Sequence, residues 1–225
     1  MTGLVLIAGG GSGGRVMSGL AVAQELTATG IEVRWLSARR SLDGDHIAAH
    51  GHALTLVEVG DEPVPDPPPL RWLFSSLPTG LAASVELLLR TRPAVVLSVG
   101  GSAAVVGSLA AALVGIPLVV EEQNATPSRS SRLLAPWADL VCCGFAQTTE
   151  AFPSLPVEWT GNPVRPEFFA VAALDRLHLP PSLLVLGGSQ GSLLLNRLVP
   201  PAVARLREQG LEVEVRHQSG AQWLE

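Results

Sequence analysis

Three clusters of small residues stand where apolar runs end: Gly9 to Gly14 within AGGGSGGR, Gly100-Gly101 within SVGGS, and Gly187 to Gly191 within LGGSQG. Glycines at such points let the backbone come close to a ligand. The helix that follows presents unpaired N–H donors at the positive end of its dipole. The chemistry on offer is anion binding, with a phosphate or diphosphate as guest. Nearby side chains could do more: Arg15 closing the first cluster, the adjacent carboxylates Glu121 and Glu122, Asn124 just after them, and Arg165 in NPVR. A carboxylate can take up a proton. A guanidinium stays charged near neutral pH and can only hold an anion.

Gly9, Gly11 and Gly14 also fit the G-x-G-x-x-G spacing of a dinucleotide site. An NAD site wants an acidic residue at the end of the second strand, to hold the ribose hydroxyls. Here that strand, IEVRWLSARR, ends in Arg39 and Arg40. The pair argues against NAD, permits NADP, and leaves other phosphate ligands open.

The elements that must position these groups follow from the pattern. Apolar runs at Leu4 to Ala8, Ile31 to Leu36, Ala53 to Val59, Ala94 to Val99 and Leu118 to Glu121 alternate with helical periodicity. The helices fall after Arg15, around His46, from Thr79 to Leu89, and through the Ala/Leu-rich stretch after Ser102. This is the pattern of an α/β fold with a parallel sheet, whose ligands sit at the C-terminal ends of the strands. The uncharged run from Pro93 to Val120 is long enough to span a bilayer. Gly100-Gly101 and Gly115-Ile-Pro117 divide it, which predicts strand, turn, helix and strand instead. DEPVPDPPP, from Asp61 to Pro69, cannot join a sheet and is expected as an extended loop.

Composition narrows the field. The 225 residues are 47% hydrophobic, enough for one large or two modest cores. A net charge of -5 and the absence of any lysine exclude a basic footprint for nucleic acid. No secretory leader is read at the N-terminus. Adjacent Cys142 and Cys143 alternate across a strand and are expected as small, unpaired residues of a reducing compartment. His46, His50 and His52 lack a completing ligand set, so they are read as a solvated helix end rather than a metal site.

Taken together and in order, AGGGSGGRVMSGLAVAQEL, VVLSVGGSAAVVGSLAAALVGIPLVVEEQNATPS, TGNPVR, LVLGGSQGSLLLN and HQSG resemble the MurG family of glycosyltransferases over nearly the whole chain. The resemblance implies a two-domain GT-B fold and an inverting transfer from UDP-N-acetylglucosamine to a lipid-linked muramyl-pentapeptide, with no metal or cofactor. It implies donor contacts at Ser12, Gly13, Gly14, Asn124, Arg165, Ser189 and Gln190. Acceptor diphosphate would lie at Gly11, Arg15, Gly100, Gly101 and Ser102, and the base would be Glu122. His217 in HQSG would have a structural or cleft-lining place.

The chain also departs from that family's pattern. Arg15 stands where the family usually has His, Ser18 where it has Pro, and Glu121 where a His precedes Glu-Gln-Asn. Ser102, Ala104 and Val106 replace a Tyr, Ser and Pro of the family's second turn. Arg15 and Glu121 are therefore read either as an ion pair, or as a phosphate ligand and a substitute base. The domain boundary is expected near Arg165, giving an N-terminal domain of 1–165 and a partial C-terminal domain of 166–225. Two strands and one helix after Leu183 cannot cover a sheet, so the second domain reads as cut short. That leaves a degenerate or split relative that binds nucleotide sugar without catalysis, completed in the split case by a second chain, as one alternative. An NADP-dependent oxidoreductase is the other. Leu70, Trp72, Leu73, Phe74 and Leu77, beside Arg71, form a stretch able to dock at the inner face of the cytoplasmic membrane.

Overall fold

The computed structural model describes residues 3–39, 44–59, 77–170, 180–188 and 191–223. The chain divides into two compact units, Met1–Phe169 and Ala170–Glu225. The first unit is built on a seven-stranded parallel sheet in the order β3-β2-β1-β4-β5-β6-β7. Its strands are β1 (Leu4–Ala8), β2 (Glu32–Ala38), β3 (Ala53–Val57), β4 (Val95–Ser98), β5 (Leu118–Glu122), β6 (Leu140–Cys143) and β7 (Val157–Trp159). The helices between them are α1 (Gly13–Ala28), α2 (Gly44–Ala49), α3 (Leu77–Thr91), α4 (Ser102–Val114) and α5 (Arg129–Leu134).

Strand alternation sorts the side chains onto two faces. Val5, Ile7, Val33, Trp35, Leu97 and Val99 pack with Val16 and Leu20 of α1 and Ile47 of α2. Leu6, Ala8, Leu36, Val96, Leu118 and Val120 pack instead with Leu88 of α3, Val106 and Ala110 of α4, and Leu134 of α5. The run from Pro93 to Val120 is thus strand, helix and strand. Its helix, α4, is rich in Ala and ends where Gly115 adopts a left-handed conformation (φ 71°). Among the described residues, no helix is long and apolar enough to cross a membrane. Cys143 is buried and Cys142 half-buried, both as free thiols. Burial raises the pKa of Cys142 to about 11, with smaller contributions from Glu158, Glu121 and Cys143.

The strand ends place the chemistry. After β1 the chain turns through Gly9 to Ser12 into α1, and after β4 through Gly100-Gly101 into α4. The two turns pack backbone against backbone: Gly10 N donates to Gly100 O at 3.2 Å. A Cβ on Gly101 would come within 2.4 Å of Gly10 O, and φ there is +95°, so no other residue fits. The buried Trp35 indole donates to Gly9 O at 3.0 Å and fixes the first turn from below. Part of the glycine signature therefore has a packing cause.

In the second unit, β8 (Ser182–Leu186) pairs in parallel with β9 (Glu214–Gln218), flanked by α6 (Leu193–Glu208). Gly191, with φ +73°, lies so close to Ser219 that a Cβ would overlap its carbonyl oxygen. Asn196 Nδ2 donates to that same oxygen at 2.9 Å. Ser219 of HQSG thus packs against Gly191 and anchors α6 through Asn196. The proline-rich stretch from Asp61 to Pro69, Arg40, and the apolar residues Leu70, Trp72, Leu73 and Phe74 lie outside the described residues. Leu77 packs on the core of the first unit.

Candidate functional site

The N-terminus of α1 is the exposed end of the β1–α1 turn. Gly11, Ser12 and Gly14 are exposed, and the Ser12 side chain does not cap the helix. The helix carries no acidic residue in its first turn. Its dipole therefore meets whatever enters from solvent without a built-in counter-charge. The Arg15 side chain lies over the second turn, with Nε 3.1 Å from where a Cβ on Gly100 would stand, and Nη1 4.0 Å from the corresponding point at Gly11. The five residues expected around an acceptor diphosphate, Gly11, Arg15, Gly100, Gly101 and Ser102, thus come together at the ends of β1 and β4.

An open cleft of about 230 Å³ lies beside this turn, lined by Gly14, Met17, Ser18, Gln123, Asn162, Pro163, Val164, Arg165 and Phe168. It joins the first glycine turn to EQN and to GNPVR, segments far apart in sequence. The Arg165 guanidinium stands 5.2 Å from the Phe168 ring centroid, a cation–π contact, and Nη1 lies 3.9 Å from Met17 Sδ. Asn162 Nδ2 donates to Gln123 O at 3.2 Å, tying GNPVR to EQN. Ser189 and Gln190 lie outside the described residues. Ser12, Gly13, Gly14, Asn124 and Arg165 belong to this neighbourhood, with Gly14 and Arg165 on the cleft wall.

The two adjacent carboxylates have opposite environments because β5 sends them to opposite faces. Glu122 points toward α5 and is almost fully buried. Its Oε1 accepts from Asn124 N and Asn124 Nδ2, both at 2.7 Å, and its Oε2 accepts from Ser128 N at 2.6 Å. Burial alone would raise its pKa. The hydrogen bonds from Ser131, from the Asn124 and Ser128 amides and from the Asn124 side chain outweigh it and leave the pKa lowered. A carboxylate so occupied is a weak base. The geometry gives Glu122 the task of holding the loop from Gln123 to Ser128, and with it Asn124.

Glu121 points the other way, toward α1, and is 6% exposed. Ser18 Oγ donates to its Oε1, while Oε2 makes no hydrogen bond. Burial raises its pKa, the bonds from Ser18 and Gln123 oppose that, and the neighbouring Glu122 adds to the rise. The Gln123 amide stands close enough to act on this carboxyl, yet Gln123 Nε2 completes no hydrogen bond of its own. Ser18 was legible only as a departure from a family pattern. Met17, Gln123, Asn162 and Phe168 carried no separate signal, although Asn162 and Gln123 lie inside motifs that did. Arg39, one of the two arginines that permit NADP, is ion-paired with Glu58.

Residues 5–143 match the glycosyltransferase family 28 N-terminal domain, and residues 182–225 match the family 28 C-terminal domain. The UDP-N-acetylglucosamine–N-acetylmuramyl-(pentapeptide) pyrophosphoryl-undecaprenol N-acetylglucosamine transferase of Stutzerimonas stutzeri is 39% identical over 222 residues, 98% of this chain and 62% of that protein. The protein of the same name from Tolumonas auensis is 37% identical, over 98% of this chain and 61% of its own length. The chain therefore spans 61–62% of these relatives. Among solved structures, MurG of Acinetobacter baumannii superposes with a TM-score of 0.73 at 26% identity, covering 98% of this chain and 59% of that one. The calicheamicin glycosyltransferase CalG4 shares the fold at 16% identity, with a TM-score of 0.61 and coverage of 100% of this chain and 66% of that one.

Proposed function

Because the chain belongs to glycosyltransferase family 28, we propose that it serves the transfer of N-acetylglucosamine from UDP-N-acetylglucosamine to a muramyl-pentapeptide carried on a diphosphoryl polyprenol. The fold is of the GT-B type. One observation carries the reading: 37–39% identity, over 96–100% of this chain, to transferases named for that reaction.

The site's chemistry supports it. Both substrates carry a diphosphate, and the two abutting glycine turns with Arg15 make a cationic, N–H-rich floor for one of them. The acceptor diphosphate rests at Gly11, Arg15, Gly100, Gly101 and Ser102. In the first unit the donor reaches Ser12, Gly13, Gly14, Asn124 and Arg165; Ser189 and Gln190 remain donor contacts implied by the family resemblance alone. A cleft of 230 Å³ is below the ~300–1,000 Å³ of pockets that enclose a whole ligand, so it takes the sugar end of the donor rather than all of it. Transfer is in line: the acceptor hydroxyl attacks the anomeric carbon as UDP leaves from the opposite side, inverting it. A polyprenol-linked acceptor is held in the membrane, which puts the protein at the cytoplasmic membrane surface, where nucleotide sugar is at hand.

Calorimetry with UDP-N-acetylglucosamine, UDP and NADPH tests the ligand class. The two uridine ligands should bind and NADPH should give no heat of binding. Binding of NADPH with no response to either uridine ligand would overturn the reading.

A further inference from the structure

We propose that Ser18 and Glu121 form the proton-accepting pair of the transfer, Ser18 on the cleft wall and Glu121 behind it. The inference rests on the transferase reading above and names the group that takes the acceptor's proton. Three observations carry it. Ser18 lines the cleft beside Gly14 and Met17. Its hydroxyl already donates to Glu121 Oε1, so its oxygen lone pairs remain for a hydroxyl arriving from the cleft. Glu121 is buried, and its second oxygen completes no hydrogen bond although the Gln123 amide lies close by. A buried carboxylate oxygen left unpaired costs stability, which is a common mark of a group kept for chemistry.

The two residues lie 103 positions apart in the chain and touch one another. Neither glycine turn nor EQN would have required that. Glu122 faces the other side of the sheet, where it holds the loop from Gln123 to Ser128.

The step balances as follows. The acceptor hydroxyl oxygen forms the new bond to the anomeric carbon. The anomeric carbon–oxygen bond to the diphosphate breaks, and its electron pair leaves with UDP. The hydroxyl proton passes to Ser18 Oγ as the Ser18 proton passes to Glu121, which goes from carboxylate to carboxylic acid and later returns its proton to solvent. Burial brings a carboxyl closer in basicity to the working pH, the condition for efficient proton transfer. The charged and titratable groups facing Glu121 are few. Cys142, its register partner on β6, stays a neutral thiol, with Glu158 beyond it on β7. Glu122 is its neighbour on β5, and Arg15 lies one helical turn before Ser18 on α1. Gln123 is the nearest uncharged amide.

The test uses Glu121→Gln and Ser18→Ala variants of this protein. Transfer from UDP-N-acetylglucosamine should fall about a hundredfold or more in Glu121→Gln, while the Kd for the sugar nucleotide stays within about threefold of wild type. In the wild type the rate should rise with pH through one ionisation above the ordinary Glu value. In Ser18→Ala that midpoint should move upward, because the Ser18 bond that favours the carboxylate is gone. Carboxyl-labelled NMR of the unliganded 225-residue chain should show the same order: one Glu titrating above the rest, higher still in Ser18→Ala, and absent in Glu121→Gln. That readout needs no activity, and a circular dichroism spectrum matching wild type establishes that the variants fold. A Glu121→Gln protein with wild-type rate and pH profile overturns the pair. A wild-type protein that neither binds UDP-N-acetylglucosamine nor transfers it overturns instead the reading on which the pair rests.

Discussion

Ser18 on α1 and Glu121 on β5, 103 residues apart, are joined by a buried hydrogen bond from the serine hydroxyl to the carboxylate. The residue beside Glu121 faces the other side of the sheet and is satisfied by the loop that follows it. One dipeptide thus places one carboxyl by the cleft and uses the other to shape it.

Glu121 has a raised pKa and Glu122 a lowered one, so their pH signatures oppose. A carboxyl raised in the folded state favours folding below its unfolded pKa of about 4.3, and that contribution is lost as pH rises through the folded value. Chemical denaturation of Glu121→Gln against wild type should therefore show the variant gaining relative stability between about pH 4.3 and neutrality. A stability difference constant with pH would contradict the burial of an ionisable carboxyl there.

Glu122→Ala removes the acceptor for Asn124 N, Asn124 Nδ2 and Ser128 N. Leaving these donors without a partner should cost about 2–4 kcal/mol. The contribution from its lowered pKa is present above the unfolded value and lost as pH falls toward the folded one, so wild type and variant should converge in acid. Denaturant midpoints at pH 7 and pH 3 would check both points.

Gly14 and Gly101 should part company on substitution. Gly14 has open space where a Cβ would go and lies within α1, so Gly14→Ala should raise stability by up to about 1 kcal/mol. It also narrows the cleft, and affinity for UDP-N-acetylglucosamine should fall. Gly101→Ala meets Gly10 O at 2.4 Å in a left-handed conformation and should cost about 3 kcal/mol or more. Thermal melts with donor titrations separate the two effects.

Arg15→Ala should weaken binding of a diphosphate-bearing acceptor about tenfold at low salt, or about 1.4 kcal/mol. The loss should shrink as salt rises, since the Debye length falls from about 10 Å at 0.1 M to about 3 Å at 1 M. A salt-independent loss would mean that Arg15 acts through packing.

Much of this was legible in the residues and some was not. The strands could be read because buried parallel strands are near-continuous apolar runs, and the glycine clusters marked their ends. Alternation is read in the sequence only for Cys142 and Cys143, though the same rule separates Glu121 and Glu122 on β5. It could not say which face holds the cleft, because that depends on where α1 packs and where GNPVR returns. The sequence points to Glu122 as base only through the family match; the convergence of three N–H donors on it depends on the path of the loop after β5, which spacing does not reveal. The strand bounds shifted by a residue or two where runs fray into turns, as at Ile31 and Val59, outside β2 and β3.

The second unit should be the less protected one. Its described apolar residues include Leu184, Leu186, Leu194 and Leu198, each 58–65% exposed, against a first unit where Leu6, Ile7, Trp35 and Leu36 are fully buried. Hydrogen exchange of the 225-residue chain should find fast amides in β8 and α6 and slow ones in β1 and β4. Equal protection would mean that another surface covers those leucines.

The most direct measurement is transfer itself. The protein, purified as its cell makes it, is incubated with UDP-N-acetylglucosamine radiolabelled in the sugar and with polyprenyl-diphosphoryl muramyl-pentapeptide in detergent. The account predicts label in the lipid product, one UDP released per sugar transferred, and inverted configuration at the new linkage. Sugar nucleotide bound without label reaching the lipid would contradict it, leaving a protein that holds the donor and does no chemistry.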